Sequence, residues 1–162
     1  MKTLFLLLLL LFLPSVCWGE FPTTGILDNF NRSTGLGANW TNYADGFKII
    51  SNTQLQNSVL TLGYGETRYN AASYTDCEAY ITIVTKPKNG EDIKIQARTD
   101  ADGDKTYYLK LTPAAGADAL DLMYWDGVDD NVLASYSQEV SNGDSIGISC
   151  IGTTITGYYK AS

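Results

Sequence analysis

The stretch Asp28-Asn-Phe-Asn-Arg-Ser-Thr-Gly-Leu-Gly-Ala-Asn-Trp40 is the most specific pattern in this sequence of 162 residues. It joins an acidic residue, an aromatic residue and an arginine to a glycine-rich segment that ends in Asn-Trp. Gly35 and Gly37 favour a turn, since glycine adopts backbone conformations that other residues rarely reach. We interpret the stretch as the opening of a folded domain.

A short apolar segment precedes this opening. The first residues carry a positive charge and Leu4–Leu13 is unbroken apolar sequence. A bilayer-spanning helix needs about 20 apolar residues, so this run is too short for one. We predict a signal peptide over residues 1–19, cleaved before Glu20, and hence a secreted protein without a membrane anchor. The alternative is a lipoprotein signal with Cys17 lipidated, which the bulky Val16 before it fits poorly.

The remaining residues, 20–162, suit one domain with a hydrophobic core. Without Lys2, 10 of the 11 basic residues remain against 18 acidic ones, a net charge of −8. Phosphate binding needs a positive surface, so nucleic acid is not an expected partner. The sequence contains no histidine, which excludes Ser-His-Asp catalysis and histidine metal sites.

Strand-like alternation of apolar and polar residues runs through the sequence, whereas helical periodicity is nearly absent. Many short strands separated by polar turns predict an all-β fold, an antiparallel sandwich or barrel. The predicted strands are Thr24–Phe30, Phe47–Ser51, Ser58–Gly63, Cys77–Thr85, Ile93–Thr99, Thr106–Leu111, Leu120–Trp125, Val132–Ser135, Ser145–Gly152 and Thr154–Lys160.

Two cysteines remain after signal removal, Cys77 and Cys150. An even pair in an exported chain favours one disulfide. If the two residues face each other across antiparallel strands, Ala79 faces Ile148 and Ile81 faces Ile146. Apolar residues then match along one face of both strands, as a half-buried sheet requires. The alternative is two buried free thiols.

The opening stretch resembles the start of concanavalin A-like (laminin-G-like) jelly-roll domains of microbial type. The late pattern Gly143-Asp-Ser-Ile-Gly-Ile148, followed by Gly152-Thr-Thr-Ile-Thr-Gly-Tyr-Tyr-Lys160, is similar to the late hairpin of such domains. The resemblance implies an antiparallel two-sheet jelly roll over residues 20–162. Relatives usually add a last strand after this hairpin. We therefore expect either a fragment of a longer chain or a fold that lacks its C-terminal strand and leaves one edge open.

Catalysis is not expected. Glycoside hydrolases of this fold carry alternating acidic residues on one strand, so that two carboxylates face one cleft. No strand here reads Glu-x-Asp-x-x-Glu, and the few glutamates are scattered.

A calcium site is one possible function of the acidic turns. Asp100, Asp102 and Asp104 alternate in a tight turn and offer the oxygen ligands that Ca²⁺ prefers. The alternative is a polar hairpin turn, which Asp and Gly also form. The resemblance implies a further Ca²⁺ ligand at Asp28.

Glycan recognition is the leading functional prediction. Sugars bind to aromatic faces and planar polar groups. Tyr108 and Tyr158 fall on the polar sides of their strands, where we expect them to be exposed, and Trp125 adjoins the acidic residue Asp126. The alternative for each aromatic residue is ordinary sheet packing.

We therefore expect a secreted, non-catalytic carbohydrate-binding or adhesive module whose partner is a glycan or cell-surface polysaccharide. The alternatives are an accessory fragment of a larger secreted glycoside hydrolase and a structural surface or virion protein.

Overall fold

The structure, a computed structural model, describes residues 21–22, 24–58 and 64–162. The predicted signal peptide, residues 1–19, lies outside this range. The described residues form eleven β-strands. These are β1 (Trp40–Ala44), β2 (Phe47–Ile50), β3 (Gln54–Asn57), β4 (Gly65–Tyr69), β5 (Cys77–Thr82), β6 (Ile93–Ala97), β7 (Thr106–Thr112), β8 (Asp118–Trp125), β9 (Asp130–Gln138), β10 (Ser145–Ile151) and β11 (Thr154–Lys160).

All strand pairs are antiparallel, so the all-β prediction is confirmed. A four-stranded sheet has the order β6-β7-β8-β9, and a three-stranded sheet has the order β11-β10-β5. Two further pairs, β1-β4 and β2-β3, form small sheets in the N-terminal part.

The two larger sheets pack face to face across one hydrophobic core, as in a β-sandwich. Leu109 and Leu111 come from the four-stranded sheet, and Ile146 and Ile148 come from the three-stranded sheet. The last three of these side chains are fully buried. Alternation explains the arrangement, because successive side chains of a strand point to opposite faces and only one face of each sheet is apolar.

The register predicted from the cysteines is confirmed. Cys77 lies opposite Cys150, Ala79 opposite Ile148, and Ile81 opposite Ile146. A slip of one residue would turn the apolar face of β10 towards solvent, and this penalty sets the register.

One predicted strand in the N-terminal part is wrong, and a second lies largely outside the described residues. The described residues of Thr24–Phe30 are not a strand, because the side chains of Asp28 and Asn29 accept hydrogen bonds from the amides two residues further on, at 2.8 and 2.9 Å. Such local hydrogen bonds compete with the backbone hydrogen bonds that would pair a strand with its neighbour. Of the predicted strand Ser58–Gly63, Ser58 is not in a strand and residues 59–63 lie outside the described range. The strands β1, β3 and β4 were not predicted.

Each of the two larger sheets has two edge strands among the described residues. These are β11 and β5 in the three-stranded sheet, and β6 and β9 in the four-stranded sheet. β9 is exposed along nearly its whole length, including Val132, Leu133 and Tyr136. Open edges present unpaired backbone groups that can accept a further strand.

Candidate functional site

The opening motif forms a polar network. Asp28 accepts hydrogen bonds from both terminal nitrogens of Arg32, at 3.0 and 2.6 Å, and from Nε1 of Trp40 at 2.8 Å. The hydrogen bonds from Arg32 are the main reason that the pKa of Asp28 falls to about 2, although partial burial opposes them. Trp40 packs against Phe30 and Tyr69. These contacts therefore fix the conformation of the chain where the domain begins. The polar groups of the motif are engaged with one another rather than presented to a ligand.

The Asp100–Asp104 segment has the geometry of a turn. The amide of Asp100 donates to the carbonyl of Lys105 at 2.9 Å, and the amide of Lys105 donates to Oδ1 of Asp100 at 3.1 Å. No group of three or more Cys, Asp or Glu side chains converges as a metal site within the described residues. Calcium binding by Asp28, Asp100, Asp102 and Asp104 stays a prediction without geometric support.

The cysteine pair lies on the inner face of the three-stranded sheet. Both residues are free thiols in the structure, so the predicted disulfide is not formed there. Burial, followed by the proximity of Cys77, raises the pKa of Cys150 to about 11. Directly opposed residues of an antiparallel pair have Cα atoms about 4.5–5.5 Å apart, a separation that a disulfide can span. The geometry therefore permits oxidation, and the bond stays a prediction.

The expectation that Tyr108 is exposed is wrong. Only 2% of this residue is accessible, although it lies on the outer face of the four-stranded sheet. Its hydroxyl donates to Asp130, and the ammonium of Lys94 lies 4.9 Å from the ring centre. Burial and then the contact with Asp130 raise the pKa of Tyr108. The ring is therefore enclosed by its neighbours and cannot stack on a sugar in this arrangement.

The other three predicted ligand-binding residues do not converge. Trp125 ends β8 and lies opposite Thr106 in the register. The carboxylate of Asp126 accepts the amides of Val128 and Asp129, both at 2.9 Å, and thereby closes its own loop. Tyr158 lies on the other sheet, on its outer face.

A groove opens between the two larger sheets. Its volume is about 980 Å³. At its floor Gly157 of β11 lies so close to Leu109 that an added methyl group would come within 2.9 Å of Cδ1. Beyond this contact, β8 and β9 extend past the three-stranded sheet. Leu122 is therefore only half-buried, and Tyr136 is 60% exposed.

The rim of the groove combines aromatic and planar polar groups. Tyr136 and Gln138 alternate on the inner face of β9, and Tyr159 and Lys160 come from β11. The hydroxyl of Tyr159 donates to Oδ2 of Asp144 at 2.9 Å, which holds its ring in place. Burial, followed by this bond, raises the pKa of Tyr159. An apolar floor with a few oriented polar groups is the usual composition of a small-molecule site.

Sequence reasoning missed this groove. Tyr158 also lines it, but Tyr136, Gln138 and Tyr159 were not selected as binding residues. The available signal was the spacing of Tyr136 and Gln138, which puts an aromatic and an amide on one face of a strand. That they border a groove depends on the offset between the sheets, which alternation does not encode.

No helix within the described ranges is long and apolar enough to cross a membrane. No protein-family model matches the chain, and neither the curated proteins nor the solved structures contain a match to it, so these comparisons identify no family.

Proposed function

We propose that this protein is an exported, non-catalytic carbohydrate-binding module, and that the groove between its two larger sheets holds the glycan. The observation that carries the proposal is the groove itself, with Tyr136, Tyr159 and Gln138 around an apolar floor. Pyranose rings present apolar C–H faces that stack on tyrosine, and their hydroxyls hydrogen bond to amide groups. The volume of about 980 Å³ leaves room for more than one sugar unit.

The concanavalin A-like jelly-roll topology is part of this proposal. Face-to-face antiparallel sheets and the confirmed β5–β10 register support it. The inner face of β8 and β9 that the three-stranded sheet leaves uncovered forms part of the groove.

The test is binding of soluble polysaccharides and an oligosaccharide array by the purified protein. Replacing Tyr136 by Ala removes an exposed ring from the rim, so we expect the affinity to fall about tenfold. Tyr64→Ala is the matched control, because Tyr64 is 58% exposed and does not line the groove. Binding that is equally affected by both substitutions, or that resists Tyr136→Ala and Gln138→Ala together, would exclude the groove as the site.

A structural or assembly role is the second candidate, and the open β9 edge favours it. Asn131 to Gln138 contains neither charge nor proline, the features by which edge strands usually avoid pairing. Under this alternative the protein forms concentration-dependent oligomers and binds no sugar. Sedimentation of the wild type and of a Leu133→Lys variant tests this alternative. The added charge should prevent formation of the oligomer and leave the residues of the groove rim unchanged.

A further inference from the structure

A narrow aromatic slot lies on the outer face of the three-stranded sheet, away from the hydrophobic core. In the register, Gly147 of the central strand β10 lies between Tyr80 of β5 and Tyr158 of β11. Glycine has no side chain, so the middle of this row is a gap between two tyrosine rings. Phe21 fills the gap and is 8% exposed.

Phe21 contacts both of the tyrosine rings that border the slot. It stacks on Tyr158 with ring centres 3.9 Å apart and planes inclined by 2°, and it meets Tyr80 edge to face at 5.8 Å. The edge-to-face contact with Tyr80 is a favoured arrangement of aromatic pairs, and the parallel stack on Tyr158 brings the two ring faces into direct contact. A methyl group added at Gly147 would overlap the ring of Phe21 and come within 2.8 Å of the carbonyl oxygen of Ala79. The glycine is therefore required by the close approach of the ring and of the neighbouring strand.

A second contact holds the same N-terminal segment on this face. The amide and the hydroxyl of Thr24 donate to Oε2 of Glu78, at 3.1 and 3.0 Å. Glu78 is two residues from Tyr80 on β5, so both side chains lie on one face. The residues that follow are exposed, with Ile26 at 72% and Leu27 at 57%. A segment with so few buried contacts opens locally at a small cost in free energy.

We propose that this slot is a peptide-binding site for a phenylalanine side chain followed three positions later by a hydrogen-bond donor, and that Phe21 and Thr24 are its intramolecular occupants. A partner peptide with the pattern Phe-x-x-Thr displaces the N-terminal segment and makes the same contacts. Tyr80 and Tyr158 recognise the ring, Gly147 admits it, and Glu78 receives the donor. Phe21 and Tyr158 also line the groove, so the slot adjoins it. The slot takes an aromatic peptide rather than a sugar, so the inference does not depend on glycan binding in the groove.

The test uses the Phe21→Ala variant, which leaves the slot empty, and a peptide with the sequence of residues 20–25. Backbone amide resonances report binding, with Gly147 as the central probe because the ring lies over it. We expect saturable shifts of Gly147, Tyr80 and Tyr158, with half-saturation on the order of 1–10 mM for one small ring and two hydrogen bonds. The wild type should respond at least about tenfold more weakly, since its own Phe21 competes at a high effective concentration.

Two controls separate recognition from nonspecific contact. A peptide with alanine in place of phenylalanine should leave Gly147 unshifted, and so should the Phe21→Ala/Tyr158→Ala double variant with the original peptide. If Phe21→Ala unfolds the protein, Phe21→Leu keeps an apolar side chain but removes the flat ring, and the peptide should displace it. The absence of a saturable shift at Gly147 in the folded variants, or an equal response of the wild type, would overturn the proposal.

Discussion

The N-terminal part and the sandwich are held together by different forces. Between Cys77 and Lys160 the fold rests on a continuous apolar core in which Leu111, Val140, Ile146 and Ile148 are completely buried. Among the described residues from 24 to 69, Leu36 is the one buried apolar side chain, and the chain is held largely by polar contacts such as those of Asp28.

The two regions therefore differ in the kind of contact that stabilises them. Burial of apolar surface contributes about 1.5–3 kcal/mol for each large aliphatic side chain, whereas a typical hydrogen bond contributes about 1 kcal/mol net. We therefore expect the N-terminal part to open before the sandwich unfolds. The motif that is most specific in sequence lies in the region that the structure predicts to be less stable.

The largest effect is expected from oxidation of Cys77 and Cys150 to a disulfide. This bond would increase the difference in stability between the sandwich and the N-terminal part. Closing a loop of about 74 residues should raise the free energy of unfolding of the sandwich by about 4 kcal/mol, because it restricts the unfolded chain. The measurement is urea unfolding of the oxidised and the reduced protein. Protein isolated without a reductant should show no free thiol under denaturing, non-reducing conditions, and two titratable thiols would exclude the bond.

Removal of core volume tests the sandwich directly. Ile148→Ala should lower the free energy of unfolding by about 3 kcal/mol, because Ile148 is fully buried and leaves a cavity. Ile151→Ala is the matched control on the same strand, since Ile151 is 51% exposed and should change the stability by less than about 0.5 kcal/mol. Equal effects at the two positions would contradict the assignment of the core.

The smallest and most local effect is expected at Asp28. Asp28→Asn weakens the contacts to Arg32 and Trp40 and should destabilise the N-terminal part by about 1–2 kcal/mol, with little effect on the sandwich. Fluorescence of Trp40 in a Trp18→Phe/Trp125→Phe background reports this part alone, because the sequence has three tryptophans. A single transition shared with the sandwich would show that the two regions unfold together.

Lowering the pH should destabilise the N-terminal part as Asp28→Asn does. The pKa of Asp28 is lowered from its ordinary value of 3.8 to about 2, so the ionised carboxylate stabilises the folded state. This contribution is complete above about pH 4 and is lost as the pH falls towards 2. The Trp40 signal should therefore change within this window in the wild type and be flat in Asp28→Asn. A wild-type transition centred above pH 5 would assign the change to another group.

Prediction succeeded where apolar alternation and burial act together. Strands β6, β7, β8, β10 and β11 were found within a few residues of their bounds, because their apolar faces form the core. It failed at Thr24–Phe30, where the side chains of Asp28 and Asn29 accept local hydrogen bonds from backbone amides in place of strand pairing. It also failed for Tyr108, whose polar-side position was interpreted as exposure although Lys94 and Asp130 enclose the ring.

The sequence by itself determined the β-strands, because the period of two is a local pattern. It also determined the β5–β10 register, because facing the two cysteines matches the apolar faces of both strands. The tertiary structure alone decided the candidate sites. The offset between the sheets opens the groove beside Tyr136, and the return of Phe21 onto Gly147 covers Tyr158. Both depend on contacts between residues more than a hundred positions apart or on different sheets, and no local pattern encodes such contacts.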